Sequence, residues 1–171
     1  MGIHTTYVGH VTIEPRLSVR EVAIVRDLNQ TRRWDAPGGA LRVAPYPVDD
    51  EPPRAGLDAR NRPAPGAPGL WCPWTACDRG HCLHWDGREK PYDGAAWLRW
   101  TIDTLLRPGA DVTGSAFARE HGLTCDHTLD GMIIGERADT MTLVVFGVAD
   151  NEVRTAVLLP GVPEVQEWPP R

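Results

Sequence analysis

The stretch LSVREVAIVRDLNQTRRW, residues 17–34, carries the strongest local folding signal in the chain. Ser18 is a candidate N-cap residue, and Glu21 follows three positions later, which is the reciprocal capping-box arrangement of a helix start. Apolar residues then recur at helical spacing and mark one face for burial. The stretch therefore predicts an amphipathic helix over residues 18–33.

The segments around this helix predict strands and a second helix. A β-branched and aromatic run before Pro15 predicts a strand, and residues 71–85 predict a hairpin around the turn DRGH. The second helix begins near Asp93 and ends at RPG. Three later strands are predicted in LTCDHTLDGMIIGE, TMTLVVFGVAD and VRTAVLLP. This order indicates the α+β class: an antiparallel sheet with two helices on one face, compatible with a ferredoxin-like β-α-β-β-α-β core plus extra C-terminal strands.

Length and composition predict one domain over residues 1–171. The chain is long enough for one hydrophobic core and short for two, and its hydrophobic content of 42% is ordinary for a globular protein. Proline and glycine are concentrated at about residues 36–68, which predicts a long loop. Long loops in compact domains are functional or mobile, so this segment is expected to be a cover, a partner-binding arm or a surface excursion.

Charge and hydropathy exclude several classes of partner. A net charge of −5 argues against a broad nucleic-acid surface. The sequence contains no apolar run long enough to cross a membrane, and its first residues lack the pattern of a secretion signal. We therefore expect a cytoplasmic protein with no membrane partner, and four cysteines that are reduced thiols or metal ligands.

The cysteines and histidines form the sharpest candidate metal site. Three cysteines follow C-x4-C-x4-C spacing, two histidines lie beside them and one more of each type lies further on: Cys72, Cys77, Cys82, His81, His84, Cys125 and His127. Thiolates and imidazoles are suitable zinc ligands, but the closer C-x2-C spacing of zinc knuckles is absent. A thiol pair or disulfide between Cys77 and Cys82, or simple burial of the cysteines, are the alternatives. We predict no cofactor. If the chain does bind zinc, the candidate ligands are Cys72, Cys77, Cys82 and His84.

The segment WDGREKPY, residues 85–92, holds the candidate catalytic groups. A carboxylate beside a lysine can act as an acid–base couple or hold an anionic ligand. Lys90 is the single lysine beside seventeen arginines in this sequence. The candidate set is Glu89 and Lys90, with Asp86 or His84 as orienting groups. The alternative is structural, because Asp-Gly after tryptophan is a turn signature.

Aromatic residues cluster in the same region. An exposed tryptophan here would form a stacking wall for a planar ligand or an anchor for a partner. The alternative is that these side chains belong to the core, since the chain has only two phenylalanines. The candidate ligand-binding residues are Trp71, Trp74, Trp85 and Tyr92.

An ordered set of motifs carries a family resemblance. GLWCPW, WDGREKPY, WLRWTIDTLLRPGA, LDGMIIGER and DNEV occur in this order along most of the chain. The set resembles a family of small, uncharacterised proteins from actinomycetes such as Streptomyces and their phages. The resemblance implies a source and a cytosolic context, and no activity. The matching residues are Trp71, Cys72, Trp74, Trp85, Asp86, Gly87, Glu89, Lys90, Tyr92 and Trp97. Cys77, Cys82, His81 and His84 lie outside the pattern, and Pro91 replaces an aromatic residue.

Three functional hypotheses follow. The first is a binding domain for a small molecule or a protein partner, with its site at the hairpin–helix junction around residues 71–92. The second is a small acid–base enzyme that uses Glu89 and Lys90, in actinomycete specialised metabolism. The third is a structural zinc module. The glycine-rich phosphate-binding motifs and the nucleophile elbow of the hydrolases are absent from the sequence, and oligomeric state and substrate stay open.

Overall fold

The computed structural model describes residues 5–35, 39–43, 61–88 and 92–160. The strands in this part of the chain are β1 (Thr5–Glu14), β2 (Trp74–Ala76), β3 (Cys82–Trp85), β4 (Thr128–Arg137), β5 (Leu143–Ala149) and β6 (Glu152–Leu159). The helices are α1 (Val19–Gln30), α2 (Gly94–Thr101) and α3 (Ala116–His121). Helix α2 continues directly into a π-helical turn, Ile102–Leu106.

The strands form one antiparallel sheet in the order β2-β3-β1-β4-β5-β6. The predicted α+β class is confirmed. The connectivity β1-α1-β2-β3-α2-β4 is the β-α-β-β-α-β arrangement, and β5 and β6 extend the sheet beyond β4. The short helix α3 was not predicted, because six residues capped by Ser115 are too few for a periodic apolar pattern.

Helix α1 begins as predicted and ends earlier. Ser18 accepts from the amide of Glu21, and the Glu21 carboxylate accepts from the amide of Ser18, which completes the capping box. The helix ends at Gln30, three residues before the predicted end. Beyond it the buried Arg33 turns back and donates to the carbonyl of Leu28, one of the groups that a helix end leaves without an intrahelical partner, and to the carbonyl of Asp27, which also accepts from the amide of Thr31.

The buried side chains pack on one side of the sheet. Strand residues alternate between the two sides, and the inward set packs against α1, α2 and the π-helical turn. This cluster includes Val11, Ile13, Leu83, Leu129, Ile133, Leu98, Ile102 and Leu105, all almost fully buried. The opposite side carries exposed apolar residues, and none of the helices in the described ranges covers it.

The structure describes part of the predicted Pro/Gly-rich loop. Of the Pro/Gly-rich segment, residues 39–43 and 61–68 are described, and they contain a 3-10 turn at Gly39–Leu41. The remainder, residues 36–38 and 44–60, lies outside the described part of the chain.

Of the helices that are described, none has the length and apolarity needed to span a membrane.

A buried ion pair joins α1 to the segment that leads into β4. The Glu21 carboxylate accepts from the amide and hydroxyl of Thr124 and lies 3.1 Å from Nε2 of His127. On its other side, Nδ1 of His127 lies 2.7 Å from the carbonyl oxygen of Pro15. Burial opposes both charges, but these hydrogen bonds outweigh it, so the pKa of Glu21 lies well below its usual range and the pKa of His127 is raised.

This pair makes stability depend on pH in two directions. The depressed pKa of Glu21 contributes stability above the ordinary carboxyl value of 4.5, and this contribution is lost as the pH falls below it. The raised pKa of His127 contributes stability below the ordinary imidazole value of 6.5, and this is lost as the pH rises through the folded-state value. The combined contribution of Glu21 and His127 to the free energy of unfolding should therefore be largest between pH 4.5 and pH 6.5, and urea unfolding at a series of pH values measures it.

Replacing Glu21 by glutamine should flatten both limbs of that profile. It should also lower the free energy of unfolding by about 3–5 kcal/mol, because one partner of a buried ion pair is removed. Glu14→Gln, in an exposed glutamate at the end of β1, is the matched control. Identical pH profiles for the wild-type protein and Glu21→Gln would contradict this role.

Candidate functional site

A polar network holds residues 72–88 of the predicted hairpin–helix junction. The buried amide of Asn29 donates to the carbonyl of Cys72 at 2.8 Å and to the Asp86 carboxylate at 2.9 Å. Asp86 also accepts from the backbone amide of Arg88 at 2.9 Å and lies 3.3 Å from its guanidinium. These bonds tie the end of β3 to α1. Both Asp86 oxygens are engaged, which is what the structural alternative for this turn requires.

The four candidate aromatic residues have different environments. Trp74 is fully buried, and its indole N–H donates to the carbonyl of Gly94, so it is a core residue that ties β2 to the start of α2. Trp85 is half-buried, and its indole N–H is buried without a hydrogen-bond partner among the described residues. Trp71 and Tyr92 are exposed, and the Arg88 guanidinium lies 4.9 Å from the Trp71 ring centre, a cation–π contact. Trp71 therefore presents to solvent an aromatic ring that the contact with Arg88 restrains.

The predicted catalytic set is only partly visible. Glu89 and Lys90 lie outside the described residues, so the acid–base pair stays a prediction. Asp86 belongs to the network with Asn29. His84 lies directly opposite His10 on β1, and its Nδ1 lies 2.9 Å from the carbonyl oxygen of Trp85.

The structure brings together a different thiol–imidazole set from the predicted one. The ligating atoms of Cys77, His81 and Cys82 all lie within 4.8 Å of one another, and we call these three residues the hairpin cluster. Cys72 lies elsewhere, with its thiol against the Trp74 carbonyl and the Thr101 hydroxyl. Burial raises the pKa of the Cys72 thiol to about 11. The remaining outlying candidates are also apart, since Cys125 is buried separately and His127 pairs with Glu21.

The hairpin turn holds this cluster in place. The amide of Cys77 donates to the carbonyl of Cys82, and the carbonyls of Gly80 and His81 accept from Leu17 and Ile13. Gly80 has a φ of +68°, and an added Cβ would lie 2.4 Å from the Leu17 carbonyl oxygen. Glycine is therefore required where the turn touches the segment between β1 and α1.

The two thiols of the hairpin cluster shift each other's pKa. Burial, together with the neighbouring Cys77, raises the pKa of the Cys82 thiol to about 12. Burial opposes ionisation of Cys77 as well, but the hydrogen bond from Cys82 lowers the pKa of Cys77. The His81 Nδ1 atom lies 3.3 Å from the Cys77 sulfur.

The side of the sheet away from the helices, which we call the open face, carries an apolar row. Val8, Ile134, Val145 and Ala156 are successive cross-strand partners on β1, β4, β5 and β6. Val8 is 73% exposed and Ile134 is 39% exposed. Contiguous apolar surface of this kind marks interaction sites more often than isolated apolar residues do.

A groove lies beside this row. In the next row, Gly147 pairs with Met132 on one side and with Arg154 on the other. A Cβ at Gly147 would meet no atom within 4 Å, and Gly147 lies in a groove of about 670 Å³ that is also lined by Met132, Val145 and Ala156 and by the charged residues Asp150, Glu152 and Arg154. The open face therefore has a ridge, Met132, next to a depression, Gly147.

Comparison with known proteins gives no family assignment. No protein-family model matches the sequence, and neither the curated proteins nor the solved structures gave a match. The resemblance to an actinomycete family therefore stays a prediction.

Two features of these sites were missed in the sequence. His81 was one of several candidate ligands but was left out of the predicted zinc set, and the signal that separates it from His84 is the turn itself, which places its Nδ1 atom 3.3 Å from the Cys77 sulfur. Met132 and Gly147 gave no signal, because their relation depends on the register between β4 and β5.

The Asn29 amide should be important for stability. Asn29→Ala removes two buried hydrogen bonds, one of them to a carboxylate, so the free energy of unfolding should fall by about 1–3 kcal/mol. Gln30→Ala, at the exposed next residue of α1, should change it little. Chemical denaturation of both variants checks this, and equal losses would contradict the role given to Asn29.

Proposed function

We propose that this protein is a protein-binding domain, and that a second copy of the chain occupies the open face. The observation that carries the proposal is the apolar row of Val8, Ile134, Val145 and Ala156 beside the Gly147 groove. Four strands span about 14 Å at the usual spacing. A row of that width, on an open side rather than in a closed cavity, suits a protein surface better than a small molecule, most of whose area must be buried.

The side-chain sizes on this face favour a second copy. A twofold axis parallel to the strands, between β4 and β5, would stack β1 on the partner's β6 and β4 on the partner's β5. Two pairs would then set a larger residue over a smaller one in the register of the sheet, Val8 over Ala156 and Met132 over Gly147. Ile134 over Val145 would pack two branched side chains, and His10 would lie over Arg154 at the edge. Sheets that pack face to face interdigitate their side chains in this way.

The Gly147 groove provides the test. Gly147→Val should fill the groove where the partner's Met132 would lie, while the open space around Gly147 and the strand preference of valine leave the single chain folded. Ile134→Glu should have the same effect by placing a charge in the apolar row. Val19→Glu places the same charge on a valine that is 88% exposed at the start of α1 and should leave association unchanged.

Analytical ultracentrifugation over a range of protein concentrations measures the outcome. We expect the wild-type protein and Val19→Glu to reach twice the mass of the single chain, and Gly147→Val and Ile134→Glu to stay at the single-chain mass. Circular dichroism checks that all variants are folded. A monomeric wild-type protein, or association that both open-face variants retain, would overturn the proposal.

A second candidate is a small-ligand site at the junction, and the unpaired Trp85 indole N–H favours it. A buried donor without a partner is costly, so a ligand whose acceptor reaches this N–H would be favoured, and Trp71, an exposed ring of the same junction, is the predicted stacking surface. In a thermal-shift screen of nucleotides, amino acids and sugars, a ligand at 100 times its dissociation constant stabilises by about 2.7 kcal/mol. Trp71→Ala should abolish that shift, and Trp34→Ala, in another tryptophan that lies beside an arginine, should retain it. Flat responses throughout would contradict this candidate.

A further inference from the structure

We propose that the hairpin cluster, Cys77, His81 and Cys82, binds one zinc ion and leaves one coordination position for an exogenous ligand. The three ligating atoms come from one short turn and lie within 4.8 Å of one another. In tetrahedral zinc sites, metal–sulfur and metal–nitrogen distances of about 2.3 and 2.0 Å place such atoms roughly 3.5–3.8 Å apart. One ion can therefore contact all three after small side-chain adjustments.

The backbone around the cluster is suited to a fixed metal site. The Cys77 amide to Cys82 carbonyl bond closes the hairpin, and the contacts of Gly80 and His81 with residues 13 and 17 anchor the turn. Asp78 lies in the same turn, and its carboxylate forms an ion pair with Arg26 at 2.5 Å. The ligands are thus held in position while the neighbouring acid is occupied.

The charges balance for a zinc-type ion. On binding, both thiols lose a proton to the buffer and His81 binds through a neutral imidazole nitrogen, so two thiolates offset the two positive charges of the metal. Two sulfurs and one nitrogen are the donor set that soft and borderline metals prefer over magnesium or calcium.

The open position follows from the number of ligands. Among the described residues, the group of close metal-ligating atoms has three members, whereas structural zinc sites have four protein ligands. His84 is in the same hairpin, but its Nδ1 is directed to the Trp85 carbonyl. Three protein ligands with a fourth position for water or another small donor is the arrangement of catalytic zinc sites.

The test is a zinc titration of the full-length, reduced protein with a competing chelator, followed by measurement of metal per chain. We expect one equivalent of zinc. Cys77→Ser and His81→Ala should weaken binding by more than about 100-fold, which exceeds the usual effect of losing an outer-shell partner. His84→Ala is the matched control, a half-buried histidine of the same hairpin, and should bind zinc as the wild-type protein does.

Cobalt tests the coordination directly. Bound cobalt should give sulfur-to-metal charge-transfer absorption and tetrahedral visible bands, and added imidazole should shift those bands by entering the open position. No stoichiometric zinc in the reduced protein, or equal weakening in His81→Ala and His84→Ala, would overturn the site. Cobalt bands that do not respond to imidazole would overturn the open position. Zinc binding and chain association are measured separately, so either proposal can fail alone.

Discussion

The Glu21 carboxylate is the interaction on which the arrangement of this fold depends. One oxygen accepts from the amide of Ser18 and so completes the start of α1, while the other accepts from Thr124 and faces His127. His127 in turn contacts the Pro15 carbonyl just beyond β1. A single buried acid therefore connects the end of β1 and the start of α1 to the segment that leads into β4, which lies more than 100 residues further along the sequence.

The consequence, among the described residues, is a sheet with one side packed against helices and one side that no described helix covers. Helices α1 and α2 cover the side of the sheet that holds Val11, Leu83 and Ile133, and Asn29 extends this fixed arrangement to the junction. Leu83 lies beside Val11 in the core, so Cys82, one residue earlier on β3, points with Thr12 towards the open face. The apolar row and Cys82 of the hairpin cluster therefore lie on the same side of the sheet, the one that the described helices leave uncovered.

The sequence was informative where the physics is local. The capping box of Ser18 and Glu21 predicted α1, and the turn between Cys77 and Cys82 predicted the hairpin. It was less informative where a residue has a second, distant partner. Glu21 could be assigned to the cap but not to His127, and the predicted zinc set contained Cys72 because spacing along the chain does not show which way a side chain points. Arg33 was expected to extend α1, yet it is buried beyond the end of the helix and donates to its last carbonyls.

The central claim is that the side of the sheet opposite the helices is the binding side of this protein, with one partner chain and one metal ion. Native mass spectrometry of the full-length protein, purified under reducing conditions with zinc present, tests both parts in one spectrum. The account predicts a dimer that carries two zinc ions. A metal-free monomer would contradict it.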